Sequence, residues 1–137
     1  MTTVEQANLI TVRTYLSALQ AGEAGEPLRR FFTDDVRQVE FPNILNLSGQ
    51  ESDLSSMLKR SEQGLKILSS QSYEVISEIA QGTRVAVEVH WIGVLAIPFG
   101  ALPIGAEMKA HIAMFFEMSD WKIALQHNYD CFEPWQK

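Results

Sequence analysis

The feature that most restricts the fold is a run of strict alternation around residue 90. Val85, Val87, Val89 and Trp91 alternate with Ala86, Glu88, His90 and Ile92. Residues two apart on an extended chain share a face, so this stretch is a strand with one apolar side. Its other side, with Glu88 and His90, turns toward solvent or a partner subunit. A strand of this kind needs neighbours beside it and a cover over its apolar side. Gln81-Gly82-Thr83 is the signal for a hairpin turn, and Tyr73, Val75 and Ile79 belong to the strand before it. Beyond the alternating run, a loop with Pro98, Gly100, Pro103 and Gly105 leads to two more strands, about Glu107 to Met118 and Trp121 to Phe132, joined through Ser119-Asp120.

The first half of the chain supplies the cover. Val4, Ala7, Ile10 or Thr11, Thr14 or Tyr15, Ala18 and Leu19 recur at helical spacing, which predicts a helix from about Thr3 to Ala21. Thr2 or Thr3 caps it, and Gly22 and Gly25 end it. Pro27 opens a short second helix to Phe32, with Leu28, Phe31 and Phe32 buried. Thr33-Asp34-Asp35 reads as a turn, Val36 to Phe41 as a strand stopped by Pro42-Asn43, and about Glu51 to Leu68 as a third helix. Leu54, Met57, Leu58, Leu65 and Leu68 form the inward side of that helix. The order is helix, helix, strand, helix, then four antiparallel strands. That is an α+β domain with about three helices packed on one face of a curved antiparallel or mixed sheet.

Composition narrows the function classes. At 137 residues the chain is one domain, and a formal net charge of −6, with basic residues adjacent only at Arg29-Arg30 and Lys59-Arg60, speaks against nucleic acid or an anionic membrane as partner. No apolar stretch approaches the length of a membrane span, and no secretory leader pattern opens the sequence, so a cytoplasmic protein is expected. The single Cys131 cannot form an internal disulfide and reads as a packed thiol. The glycines are scattered, so no phosphate-binding loop and no nucleotide cofactor is expected. Glu88, His90 and His111 offer metal-ligating groups without the fixed spacing of a metal site, and no metal is expected.

Three stretches carry a family resemblance: Val39-Glu40-Phe41-Pro42-Asn43, Trp91-Ile92-Gly93, and the tail Gln126-His127-Asn128-Tyr129-Asp130-Cys131-Phe132-Glu133-Pro134. With the order of elements, they make the chain similar to SnoaL-like proteins of the cone-shaped nuclear-transport-factor-2-like superfamily. The superfamily includes ketosteroid isomerase, polyketide cyclases, scytalone dehydratase and limonene epoxide hydrolase, as well as non-catalytic members. The resemblance implies one deep apolar pocket between the helices and the concave sheet face, with a few polar groups inside.

The resemblance also places candidate residues. Tyr15 falls where ketosteroid-isomerase-like enzymes carry an oxyanion-hole tyrosine. The isomerase base position, just before the proline that ends the first strand, holds Phe41, with Glu40 directed to the opposite face. The position of the isomerase's protonated aspartate falls near Ile112. With those two positions apolar, Asp130 is the strongest acid/base candidate, sharing a face with Gln126 and Asn128 at period two beside Trp91. Glu40 and Asn43 shape the mouth, and Ala110, Ile112 and Met114 point inward. His90 and His111 are cross-strand partners if the hairpin is centred on Gly100-Ala101. Alternation turns them outward, while a bulge in the Gly/Pro-rich loop would return His111 to the pocket. Ala113, Phe115 and Tyr129 on the outer face suggest a homodimer. The expected function is acid/base chemistry of isomerase, cyclase or dehydratase type on an apolar cyclic small molecule. The alternative is a non-catalytic binding or dimerisation module of the same fold.

Overall fold

The structure is a computed structural model in which residues 1–135 are described. Helix α1 spans Thr3–Gln20 and begins in a capping box: Glu5 N–H donates to Thr2 Oγ1 at 3.1 Å, and Thr2 N–H donates to Glu5 Oε1 at 2.8 Å. It ends at Gly22, whose φ of +87° lets Glu23 N–H reach back to the Ala18 carbonyl at 3.0 Å. The expected second helix is a 3-10 turn over Glu26–Phe31, and strand β1, Phe32–Glu40, follows without a break. Thr33-Asp34-Asp35 therefore lies within the strand rather than in a turn. An irregularity between Phe32 and Arg37 absorbs the change of register.

A three-residue strand, β2 (Gln50–Ser52), precedes helix α2 (Leu54–Ile67), which Asp53 caps through Ser56 N–H at 2.9 Å. The helix begins three residues later than its apolar spacing predicts, because Gln50, Glu51 and Ser52 pair with β1 first. Leu54, Met57 and Leu58 are buried as expected, but Leu65 is half exposed.

Four long strands follow: β3 (Leu68–Gln81), β4 (Arg84–Leu95), β5 (Glu107–Ser119) and β6 (Lys122–Phe132). Asp120 and Trp121 both take positive φ in the β5–β6 turn, the backbone signature of a tight hairpin. The sheet runs β2-β1-β6-β5-β4-β3, with β1 and β6 parallel and every other neighbouring pair antiparallel. The last strand of the chain thus lies inside the sheet, joining the β1–β2 pair to the meander.

The core sits between the two helices and the concave sheet face. Val85, Val87, Val89 and Trp91 from β4 and Ala110, Ile112, Met114 and Phe116 from β5 are buried there, together with Val12, Tyr15 and Leu16 of α1. Gly93 is the counterpart of Trp91 on this face: a Cβ at residue 93 would sit 2.5 Å from the indole. The Trp91-x-Gly93 spacing is therefore a packing requirement, because only a residue without a side chain leaves the ring its place.

Candidate functional site

Register decides which polar groups enter the core. Ile112 and Met114 point inward, and their partners on β6 are Asp130 and Asn128. Across the parallel pair, Gln126 and Asn128 stand beside Gln38 and Glu40. Paired residues share a face, so Gln38, Glu40, Gln126, Asn128 and Asp130 form one polar seam on the concave side of the sheet.

The same register sends Phe41 out of the pocket. Its ring stacks on Tyr129 at 4.6 Å and meets the edge of His127 at 5.3 Å, both on the convex face. The sequence places Phe41 at the base position inside the pocket; the structure turns it out, and Glu40 joins the seam beside Asn128. Asn43 supports it: its Nδ2 donates to Glu40 Oε2 at 2.8 Å, while Asn43 Oδ1 accepts from the backbone of Leu45 and Asn46. On the other side, Arg60 of α2 donates to Glu40 Oε1 at 3.2 Å and to Ser52 Oγ at 3.0 Å.

Asp130 is only partly exposed, and its Oδ1 is fully buried without a hydrogen-bond partner. Burial, reinforced by the Glu40 charge and opposed by Arg60, lifts its carboxyl from 3.8 to about 6. Two phenols stand nearby. Tyr15 is 5% exposed, with its ring against Phe31 and Phe32, and burial raises its pKa, partly offset by the Gln126 side chain. Tyr73 of β3 is raised by burial first and then by the charges of Tyr15 and Asp130. The Tyr73 phenol thus stands within reach of both other groups' charges. Both phenols stay protonated and remain hydrogen-bond donors.

Gln71 fastens one wall. Its Oε1 accepts from Trp91 Nε1 at 3.0 Å and from the Tyr73 hydroxyl at 3.3 Å. On the seam, Gln126 Nε2 donates to Asn128 Oδ1 at 2.8 Å, which leaves the Gln126 Oε1 buried and unpartnered. A cleft of about 430 Å³ opens between α1, α2 and β3, with Tyr15, Tyr73, Arg60, Gln38, Gln71 and Leu28 among its walls. That is the size of a small-molecule site. Asp130 does not line the cleft itself; it lies four residues along β6 from Gln126, whose partner Gln38 is in the cleft wall.

The structure brings together Tyr15, Glu40, Asn43, Trp91, Ile112, Met114, Gln126, Asn128 and Asp130, and it adds Tyr73, Gln71, Arg60 and Ser52. It separates His111 from them. No bulge disturbs β4 against β5: His90 stands opposite His111 as the hairpin centre at Gly100-Ala101 requires, and His111 is exposed on the convex face. Cys131 is also exposed there and is not a packed thiol.

No family profile and no curated protein matches the sequence. Solved structures match its backbone over nearly the whole chain. AclR from Streptomyces galilaeus, provisionally assigned as a hydroxylase, superposes with a TM-score of 0.78 at 18% identity, covering 95% of this chain and 82% of its own. IdmH from Streptomyces antibioticus, provisionally assigned as a polyketide cyclase, gives 0.75 at 16% identity over 90% and 91%. TerC, co-crystallised with polyporic acid, gives 0.70 at 15% identity over 90% and 91%. At these identities the shared property is the backbone. This chain has the α+β cone fold of SnoaL-like proteins in the nuclear-transport-factor-2-like superfamily.

Proposed function

We propose that this protein is an acid/base enzyme of isomerase, cyclase or dehydratase type, acting on an apolar cyclic small molecule that carries a carbonyl. The observation that carries the proposal is the Asp130 carboxyl, its Oδ1 buried without a partner on the polar seam and its pKa lifted to about 6, with the Tyr73 phenol within reach of its charge. A carboxyl poised there is ionised at neutral pH and is a stronger base than an exposed aspartate. With the substrate's polar end reaching past the Gln38 wall of the cleft and along the seam, it takes a proton from the carbon next to the carbonyl and returns it elsewhere on the substrate. As negative charge moves onto the carbonyl oxygen, the Tyr15 hydroxyl donates to it, while the Tyr73 hydroxyl stays engaged with Gln71 and fixes the wall beside it. Glu40 and Arg60 set the basicity of Asp130 from opposite sides, Gln126 and Asn128 orient the polar end of the substrate, and Trp91 packs against its ring. Solved structures of this fold support the reading. Two carry provisional cyclase or hydroxylase assignments, and one was co-crystallised with polyporic acid.

The test is exchange of carbon-bound protons in D2O, followed by NMR on a panel of bicyclic and tricyclic ketones beginning with 2-tetralone. The protein is expected to accelerate exchange for at least one panel member, and Asp130→Asn to abolish the acceleration. Exchange that survives in Asp130→Asn overturns the role of Asp130. Binding of several ketones without exchange of any favours the non-catalytic ligand-binding module instead.

The proposal extends to assembly. Phe115 and Tyr129 are 52% and 42% exposed on the convex face, where their rings meet edge to face at 5.8 Å. Exposed aromatics grouped on one sheet face favour a homodimer through that face, and a monomer by sedimentation velocity would contradict it. Among the described residues, no helix is long and apolar enough to cross a membrane. A cytoplasmic, single-domain protein is the reading that accords with an exposed free thiol at Cys131.

A further inference from the structure

One row of side chains crosses the convex face at right angles to the strands. Glu74 of β3 pairs with His90 of β4, His90 with His111 of β5, and His111 with Cys131 of β6. All four are metal-ligating residue types, brought from four different strands onto one line. Just past the end of β6, Glu133 reaches the same place, and its Oε2 lies 3.5 Å from His90 Nε2. One ligand atom each from His90, His111 and Glu133 falls within 4.8 Å of the others. The two imidazole rings stand 5.1 Å apart, tilted by 35°.

These distances are close to those of a filled coordination sphere. Zinc bonds of about 2.0–2.2 Å to histidine nitrogen and carboxylate oxygen put neighbouring ligand atoms of a tetrahedron roughly 3.3–3.5 Å apart. The His90–Glu133 pair already has that spacing, and exposed His111 has the freedom to close the remaining gap by side-chain rotation. The backbones behind the ligands are held. His90 and His111 sit in mid-strand within an unbroken ladder, and Glu133 N–H donates to the Lys109 carbonyl at 2.8 Å.

We propose that His90, His111 and Glu133 form a zinc site on the convex face, with a fourth position open to water. Glu88, grouped with the two histidines by its position in the sequence, is not part of it. Its register partners are Ser77 and Ala113, and it accepts from Ser77 Oγ at 3.3 Å. Lys109 lies on the same face two residues before His111, so its charge moderates the affinity for a dication. The site would tie the segment after β6 to β4 and β5. That segment carries Trp135, whose ring packs edge-on against Phe132, which packs in turn against Trp91. Zinc on the outer face would therefore hold in place the aromatic stack beside the inner pocket.

The experiment is isothermal titration of the chelator-treated full chain with Zn2+, together with thermal melts. One Zn2+ per chain is expected, with the melting midpoint raised by roughly 5–10 °C at a hundredfold excess over Kd. His90→Ala, His111→Ala and Glu133→Gln should each weaken binding at least tenfold, while Glu88→Gln leaves it unchanged. Circular dichroism verifies that the variants fold, as expected for side chains outside the core. Zinc binding that persists in the His90→Ala/His111→Ala double variant overturns the proposal. So does binding lost in Cys131→Ser alone, which would mark a thiol-centred contact, and so does no binding at millimolar Zn2+.

Discussion

On β4, Val89 and Trp91 point into the core while His90, between them, points out. On β6, Asn128 and Asp130 enter the core while Tyr129 and Cys131 leave it. The two faces are cut from the same strands and differ only in the parity of the residue. The concave face withdraws a carboxylate from water and places it near the Tyr73 phenol. The convex face leaves imidazoles, a thiol and a carboxylate open to solvent. Burial therefore decides what each group can do. A half-buried aspartate becomes a base that works near neutrality, whereas an exposed histidine keeps the ability to ligate something from outside. A single-residue slip of β6 would exchange the two sets, and pairing on both sides, with β1 and with β5, resists that slip.

Several substitutions would break or sharpen this contrast. The largest effect is expected on the inner face, where Asp130→Asn should lower kcat by about 10²–10⁴-fold on whichever ketone exchanges. Glu88→Gln, on the outer face, should leave the rate unchanged in the same assay. Tyr15→Phe comes next, with a loss of about 10²-fold in kcat and little change in KM, because its donor matters most as charge develops on the oxygen. Gly93→Ala probes the packing beneath the site. The added Cβ would sit 2.5 Å from the Trp91 indole, so a loss of about 1–3 kcal/mol in urea unfolding is expected, with a shift in tryptophan emission.

The smallest effect is on stability and depends on pH. The Asp130 carboxyl holds its proton up to about 6 in the folded protein, against 3.8 for an unperturbed group. Folding therefore takes up a proton between these values. The contribution of this carboxyl to stability is full below about pH 4 and is lost as pH rises through about 6. Asp130→Asn removes the buried charge, so the variant should be more stable than the parent at pH 8, by roughly 1–2 kcal/mol after allowance for partial exposure. The two should converge at pH 4. Chemical denaturation at both pH values measures the difference, and an Asn variant less stable than the parent at pH 8 would contradict the burial argument.

Much of this was legible in the residues. The alternation at Val85–Ile92 set the parity of β4 and turned His90 outward, whereas His111 stayed open between the pocket and the outer face, and only the unbroken β4–β5 ladder places it opposite His90 on the convex side. The capping signal at Thr2 and the stop at Gly22 marked α1. The hidden parts have physical causes. Tyr73 reads from the sequence as a residue of β3 but not of the site, and Gln71 as neither, because β3 changes register twice against β4, between Leu68 and Ser70 and between Val75 and Ser77, so the parity of β4 does not carry across to it. Arg60 sits within an apolar helix stripe, where its partner Glu40 is distant in sequence. Strand β2 is three polar residues whose only reason to be extended is their pairing with β1. Glu133 lies past the last strand, where no periodicity predicts direction.

The parallel pairing of β1 with β6 has a consequence for how the chain folds. Strands β3, β4 and β5, with β6 after them, are neighbours along the chain and can zip together through two tight turns and one local loop. Strand β1, with β2 at its flank, finds its main partner only in a strand more than 80 residues further on. Closing so long a loop costs entropy before any contact repays it, so this step should come late and limit the rate. The polar seam joins Glu40 to Asn128 and Asp130 across that same junction. Refolding experiments should therefore find the meander protected from hydrogen exchange before the pocket exists, with ligand binding recovered only in the slowest phase.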